Sequence, residues 1–156
     1  MDFRLSTRCR GFTLLELLIV IAVLGVLLAI IVPSLASFRQ KSILNTETQE
    51  LVTVINRARL LSVSSKNDDQ FGVHFDSSHV VLFQGSAYII GDPANETHTF
   101  DSSLTLSSTV TGGGSNVVFE KVTGATSQNA TTTLLVTSTT ASSTVLVYPS
   151  GIVTIF

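Results

Sequence analysis

One apolar stretch near the N-terminus constrains this chain more than any other feature. Every residue from Leu17 to Val32 is apolar. As a helix rising about 1.5 Å per residue, this stretch spans about 24 Å, whereas a helix that starts at Phe12 spans about 31 Å before Val32. The hydrocarbon core of a bilayer is roughly 30 Å thick, so the longer segment is the better membrane span. That choice places Glu16 inside the apolar segment.

Basic residues precede the apolar stretch. The first ten residues contain Arg4, Arg8 and Arg10 against a single acid, Asp2. A basic flank is retained on the cytoplasmic side while the segment that follows is translocated. We therefore expect a single-pass protein of the inner (cytoplasmic) membrane, with its N-terminus in the cytoplasm and its body outside, in the periplasm or beyond the cell. The one cysteine, Cys9, precedes the span, so the body has no cysteine with which to form a disulfide.

Glu16 requires an explanation, because an ionised carboxylate inside a membrane span costs free energy. In the simplest interpretation, Glu16 lies among the lipid headgroups and the span begins at Leu17. The residues around Glu16 favour a different interpretation. The sequence from Gly11 to Glu16, GFTLLE, follows a short basic leader and opens a long apolar helix. In these features it resembles the prepilin signal of type IV pilins and type II secretion pseudopilins.

The resemblance implies a processing site and roles for four residues. A prepilin peptidase would cut between Gly11 and Phe12 on the cytoplasmic face and N-methylate Phe12. Glu16 would then neutralise the terminal amine of a neighbouring subunit during assembly. Pro33, where many family members carry a proline, would kink the helix, since proline removes one backbone N–H and clashes with the preceding turn.

The same resemblance implies the partners and excludes an enzyme. The implied partners are the prepilin peptidase, other pilin or pseudopilin subunits and an inner-membrane assembly platform, together with membrane lipid around residues 12–33. No catalytic residue, cofactor or metal is expected.

An ordinary secretory signal peptide is the main competing interpretation, because Ser34-Leu35-Ala36 follows a small-x-small cleavage pattern. It would release a secreted binding module or adhesin beginning at Ser37. An unprocessed single-pass anchor is the other alternative.

The helix is expected to continue beyond the span, from Phe12 to Ser64. After Pro33 no glycine or proline occurs as far as Ser64. Apolar and small residues recur at steps of three and four, which is the spacing of one helical face. We expect this face to pack against the body; it contains Leu44, Thr48, Leu51, Ile55, Ala58 and Leu61.

The remainder of the chain has the alternation and turn residues of antiparallel strands. Ser and Thr are abundant, with 20 of each in the chain. The predicted class is α+β, with one long N-terminal helix packed on an antiparallel β-sheet body of one or two sheets. The expected domains are a leader (1–11), a transmembrane and filament-core helix (12–33), its amphipathic continuation (34–64) and a β-rich globular domain (65–156). Strands are predicted over 71–75, 79–83, 86–90, 104–110, 117–122, 132–137, 144–148 and 152–156.

Two body segments resemble the GspH/FimT group of minor pseudopilins. Residues 145–156 form a predicted closing hairpin around Pro149-Ser150-Gly151, and the NRARLL segment (56–61) is similar to a helix end common in that group. They favour a minor pilin or pseudopilin of a type IV pilus-like or type II secretion filament. A major pilin of a type IV pilus or competence filament is the alternative within the same class.

Few body residues suggest chemistry. His74, Asp76 and His79 lie close together in sequence, but polar residues around a tight turn are usually solvated, so no metal site is predicted. After Arg59 the only basic residues are Lys66 and Lys121, against seven acidic ones. Phosphate binding requires several clustered Lys or Arg side chains. This argues against direct nucleic-acid binding.

Overall fold

The computed structural model describes residues 12–156, and for positions 32–34 it describes the backbone only. The expected leader, residues 1–11, lies outside the described residues, and so does Gly11 at the expected cleavage site. The contacts divide the chain between Arg39 and Gln40 into two compact units.

A single helix, α1 (Leu14–Val63), contains 50 residues and agrees closely with the helix predicted over 12–64. It ends where the backbone turns left-handed at Ser65, whose φ is +49°. That conformation is costly for most residues and stops helical propagation. A short 3₁₀ turn (Lys66–Asp68) follows, and Asn67 and Asp68 also have positive φ values. The chain thereby reverses into the first strand.

In the second unit, α1 buries the face that the sequence predicts. Leu51, Ile55 and Ala58 are fully buried, and Leu44 and Thr48 are nearly so. The Thr48 hydroxyl donates to the Leu44 carbonyl oxygen at 2.7 Å, so this polar group does not lose a hydrogen bond on burial. The predicted amphipathic face is therefore confirmed as part of the core.

Within residues 12–156, eight strands form two four-stranded antiparallel sheets. The first sheet has the order β3-β2-β1-β5 and the second the order β4-β6-β7-β8. Apolar side chains from both sheets and from α1 share one core, so the predicted α+β class is confirmed, with two sheets. The strands are β1 (Phe71–Phe75), β2 (His79–Gln84), β3 (Glu96–Thr99), β4 (Leu104–Val110), β5 (Asn116–Phe119), β6 (Ala130–Val136), β7 (Ser142–Val147) and β8 (Val153–Ile155).

One predicted strand is wrong and one strand is missed. Residues 86–90 form a loop, because Gly85 ends β2 with a φ of +102° and the segment then leaves the sheet. Ile90 in this loop is 86% exposed. The missed strand is β3, whose residues are polar. It is an edge strand that pairs with β2 through its backbone, from Leu82↔Glu96 to His79↔Thr99.

Thr132 presents a buried hydroxyl without a partner among the described residues. It lies in the middle of β6, opposite Val145 of β7, and is fully buried. An unsatisfied buried hydroxyl costs about 1–3 kcal/mol, and valine has nearly the same shape without it. We expect Thr132→Val to raise the free energy of unfolding by about 1 kcal/mol.

Chemical denaturation of the full chain in detergent micelles measures this change. Thr131→Val is the matched control, since Thr131 is the exposed neighbour on the other face of β6, and its effect should lie within about 0.5 kcal/mol of zero. A loss of stability in Thr132→Val would show that the hydroxyl contributes a hydrogen bond.

Candidate functional site

The first turn of α1 is closed by a capping interaction within the motif that the sequence singles out. The Thr13 hydroxyl oxygen accepts a hydrogen bond from the backbone N–H of Glu16 at 3.2 Å. Thr13 and Glu16 hold the N-cap and N3 positions of the capping sequence Thr-x-x-Glu. A carboxylate in the first turn also interacts favourably with the positive end of the helix dipole. This signal lies within the GFTLLE segment, although the sequence assigns a role only to Glu16 and not to Thr13.

Along the first unit α1 exposes apolar side chains on every side. All described side chains from Phe12 to Ile31 are exposed, including Leu14 at 87% and Ile30 at 68%. A helix that is apolar all round is stable only inside a protein core or a membrane. In the described part of the chain, α1 is also the one helix long and apolar enough to cross a membrane by length and composition.

Glu16 is the only charged residue between Phe12 and Phe38. Its side chain is exposed, and within residues 12–156 no basic side chain pairs with it. Within residues 12–156 the structure thus presents one carboxylate without a basic partner, one turn from the start of an apolar helix. Phe12 precedes the helix and is 82% exposed. Pro33 lies within the bounds of α1, and the kink there remains a prediction.

A second set of contacts fixes the other end of α1 to the body. The Arg59 guanidinium donates through Nε to the Gly124 carbonyl oxygen at 3.3 Å and through Nη2 to that of Ser150 at 3.5 Å. Gly124 follows β5, and Ser150 lies in the β7–β8 turn. Nothing in the sequence pairs Arg59 with these carbonyls, because the contacts join positions 65 and 91 residues apart.

The polar residues around the β1–β2 turn contact neighbouring polar side chains. His74 Nδ1 lies 2.6 Å from Asn116 Oδ1, and a hydrogen bond from Ser77 is the main reason that the pKa of Asp76 is lowered. His79 Nδ1 lies 4.0 Å from Asp76 Oδ1. Throughout residues 12–156 no three His, Cys, Asp or Glu side chains are grouped so as to hold a metal ion.

His98, which stands alone in the sequence, contacts α1 in the structure. Its Nε2 lies 2.9 Å from Glu47 Oε2, and its ring packs edge-on against Phe100. Arg57 of α1 forms an ion pair with Glu96 at the start of the same strand. These two pairs join the helix to β3, so they explain the charged side chains of this edge strand as structural contacts.

Comparisons with known proteins agree with this arrangement. Residues 6–32 match the family model described as the prokaryotic N-terminal methylation motif. The fold is similar to the crystal structure of the type IV minor pilin FimU of Pseudomonas aeruginosa, with a TM-score of 0.61 and 14% sequence identity, over 76% of this chain and 92% of that one. No curated protein matches the chain. The chain therefore carries an N-terminal methylation motif at the start of its apolar helix, and its fold is similar to that of a type IV minor pilin.

Proposed function

We propose that the chain is a filament subunit that is inserted into the inner membrane through residues 12–33, cut between Gly11 and Phe12, methylated at the new terminus and then assembled. The observation that carries the proposal is the apolar stretch of α1, where all described side chains from Phe12 to Ile31 are exposed and Glu16 is the single carboxylate. Such a surface requires lipid before assembly and other helices afterwards. A pilin-like filament supplies both environments in turn.

The Glu16 carboxylate supports the assembly role because it would meet the terminal amine of a processed subunit. Cleavage before Phe12 creates a charged amine close to Glu16. In a bundle of apolar helices, an amine and a carboxylate each cost several kcal/mol when buried alone and much less when paired. A subunit that carries both groups at this spacing offers its amine to one neighbour and its carboxylate to another. Glu16 thus sets the axial register between stem helices.

The charge distribution supports the proposed topology. The basic residues before the span favour retention of the N-terminus in the cytoplasm. The body is then carried outside, where the two sheets form the surface of the filament. The proposed partners are the prepilin peptidase, an inner-membrane assembly platform and other subunits of a pilus or a secretion pseudopilus.

Among filament subunits we favour a minor, GspH/FimT-like one. The similarity in fold to a minor pilin, FimU, and the segment that contains Arg59 support this choice. The alternative, a major pilin, has no observation of its own. Direct contact with nucleic acid is not proposed, since Lys66 and Lys121 are the only basic residues after Arg59.

The mature N-terminus tests the proposed processing. In cells that contain a prepilin peptidase, the purified protein should begin at Phe12 and carry the mass of one added methyl group. In cells without the peptidase it should retain the leader. N-terminal sequencing and intact-mass measurement distinguish the two forms. A terminus at Ser37 in both strains would contradict the proposal and indicate ordinary signal cleavage with release of a secreted module.

A further inference from the structure

Three of the four sheet edges are covered or charged. On β4 the Leu106 N–H donates to the Ser77 carbonyl oxygen at 2.8 Å, and on β5 the Val118 N–H donates to Gln128 Oε1 at 3.1 Å. The third edge, β3, carries the side chains of Glu96 and His98, which pair with α1. Coverage and charge are two of the ways in which folded proteins prevent sheet edges from pairing with other chains.

The fourth edge, β8, is open within the described residues. Phe156 exchanges two backbone hydrogen bonds with Thr144, at 3.1 and 2.8 Å, and Tyr148 donates to Ile152 at 2.9 Å. Because hydrogen bonding alternates along an antiparallel strand, the N–H and C=O groups of Val153 and Ile155 point away from β7. Residues 12–156 supply no further strand on that side.

The side chains along the open edge also carry no charge. No Asp, Glu, Lys or Arg occurs from Val122 to Phe156. On the outward face next to the edge, Ile152 is 54% exposed and Phe156 is 72% exposed. An edge strand without charge, proline or cover is a template for pairing with another strand. A charged partner strand would find no opposite charge along β8, so an uncharged strand is the better partner.

The strand is complementary to itself, and we propose that β8 pairs antiparallel with β8 of a second copy of this chain, centred on Thr154. In that register Val153 and Ile155 of one copy face Ile155 and Val153 of the other. Their outward N–H and C=O groups then form four hydrogen bonds. Ile152 faces Phe156 of the second copy, and two Thr154 side chains meet at the centre. β-Branched and aromatic pairs of this kind stabilise antiparallel strands.

The pairing has two physical consequences. A contact of two short strands buries less surface than a standard stable interface of about 1,600 Å², so dimerisation should depend on concentration. The two copies are related by a two-fold axis, so the contact closes on itself and adds no third copy. A closed pair does not extend into a filament, so, if the proposed function holds, filament growth requires other contacts between subunits.

A cysteine at the centre of the pair tests the register. In the full chain with Cys9→Ser, Thr154→Cys places two cysteines at a non-hydrogen-bonded position, where Cα atoms lie about 4.5 Å apart, within disulfide range. Thr109→Cys is the matched control, an exposed threonine on the outward face of β4. After mild oxidation in detergent, Thr154→Cys should give about ten times more disulfide-linked dimer than the control. Equal yields, or a link only to other proteins in cells, would overturn the proposal.

A charge at the same position provides the second test. Thr154→Lys places like charges directly opposite each other, which destabilises a strand pair. Sedimentation of the full chain over a concentration series should show about tenfold weaker self-association than the wild type, whereas Thr109→Lys should leave it unchanged. If Thr154→Lys self-associates as strongly as the wild type, the association uses other contacts, such as those of the stem helices, and the proposal is overturned. The N-terminal processing of these variants is independent of the outcome, so the two proposals can fail separately.

Discussion

Gly151→Ala is expected to destabilise the folded body by about 3 kcal/mol or more. Gly151 closes the β7–β8 turn with a φ of +76°. A Cβ atom there would overlap the Gly124 carbonyl oxygen and would lie 2.7 Å from Arg59 Nε. The Gly124 oxygen belongs to the backbone, so it cannot rotate away as the end of a side chain could. The substitution therefore combines left-handed strain with displacement of the carbonyl that accepts a hydrogen bond from Arg59.

Gly113→Ala is the control that separates the two costs. Gly113 has a similar φ, +84°, but a Cβ atom there would meet no other atom within 4 Å. Gly113→Ala should therefore lose only the stability that alanine costs in a left-handed backbone conformation, about 1–2 kcal/mol. Chemical denaturation of both variants in detergent measures the difference. If Gly151→Ala costs no more than Gly113→Ala, the close approach between Gly151 and Gly124 does not exist in solution.

The elements predicted correctly are those whose signals are local. The helix follows from the spacing of Leu44, Leu51 and Ile55, and the first hairpin follows from the alternation in β1 and β2. The sequence predicts a strand at 86–90, where the structure has a loop, because apolar residues such as Ile89 and Ile90 usually face a core. Here the Asn95 side chain donates to the Ile89 carbonyl oxygen at 2.8 Å and holds the loop away from the sheet. Composition cannot show such a contact.

The candidate site likewise combines a signal that is local in the sequence with contacts that are not. The segment from Gly11 to Glu16 is continuous, so its resemblance to a prepilin signal is visible in one line of sequence. The contacts of Arg59 and the pairing of His98 with Glu47 join distant positions. They depend on the order of the strands, which no single pattern predicts. The open edge at β8 likewise becomes visible only once the neighbours of every strand are known.

The role proposed for Glu16 rests on its charge and not on its part in folding α1. The N-cap bond of Thr13 uses the backbone N–H of Glu16, which any side chain leaves in place. A change of side chain therefore removes the carboxylate while the cap persists. Valine at this position also makes the span more apolar, so membrane insertion should be retained or improved.

Glu16→Val should consequently leave the inserted and processed protein in the membrane but reduce its incorporation into filaments by at least about tenfold, because the terminal amine of a neighbouring subunit would be buried without a partner. The ratio of the protein in sheared filaments to that in membranes measures this effect. Glu50→Val is the matched control, since Glu50 is an exposed carboxylate on the same helix but in the second unit, and it should be incorporated normally. Normal incorporation of Glu16→Val would contradict the assembly role, and loss of both variants would show that the readout reports helix charge in general.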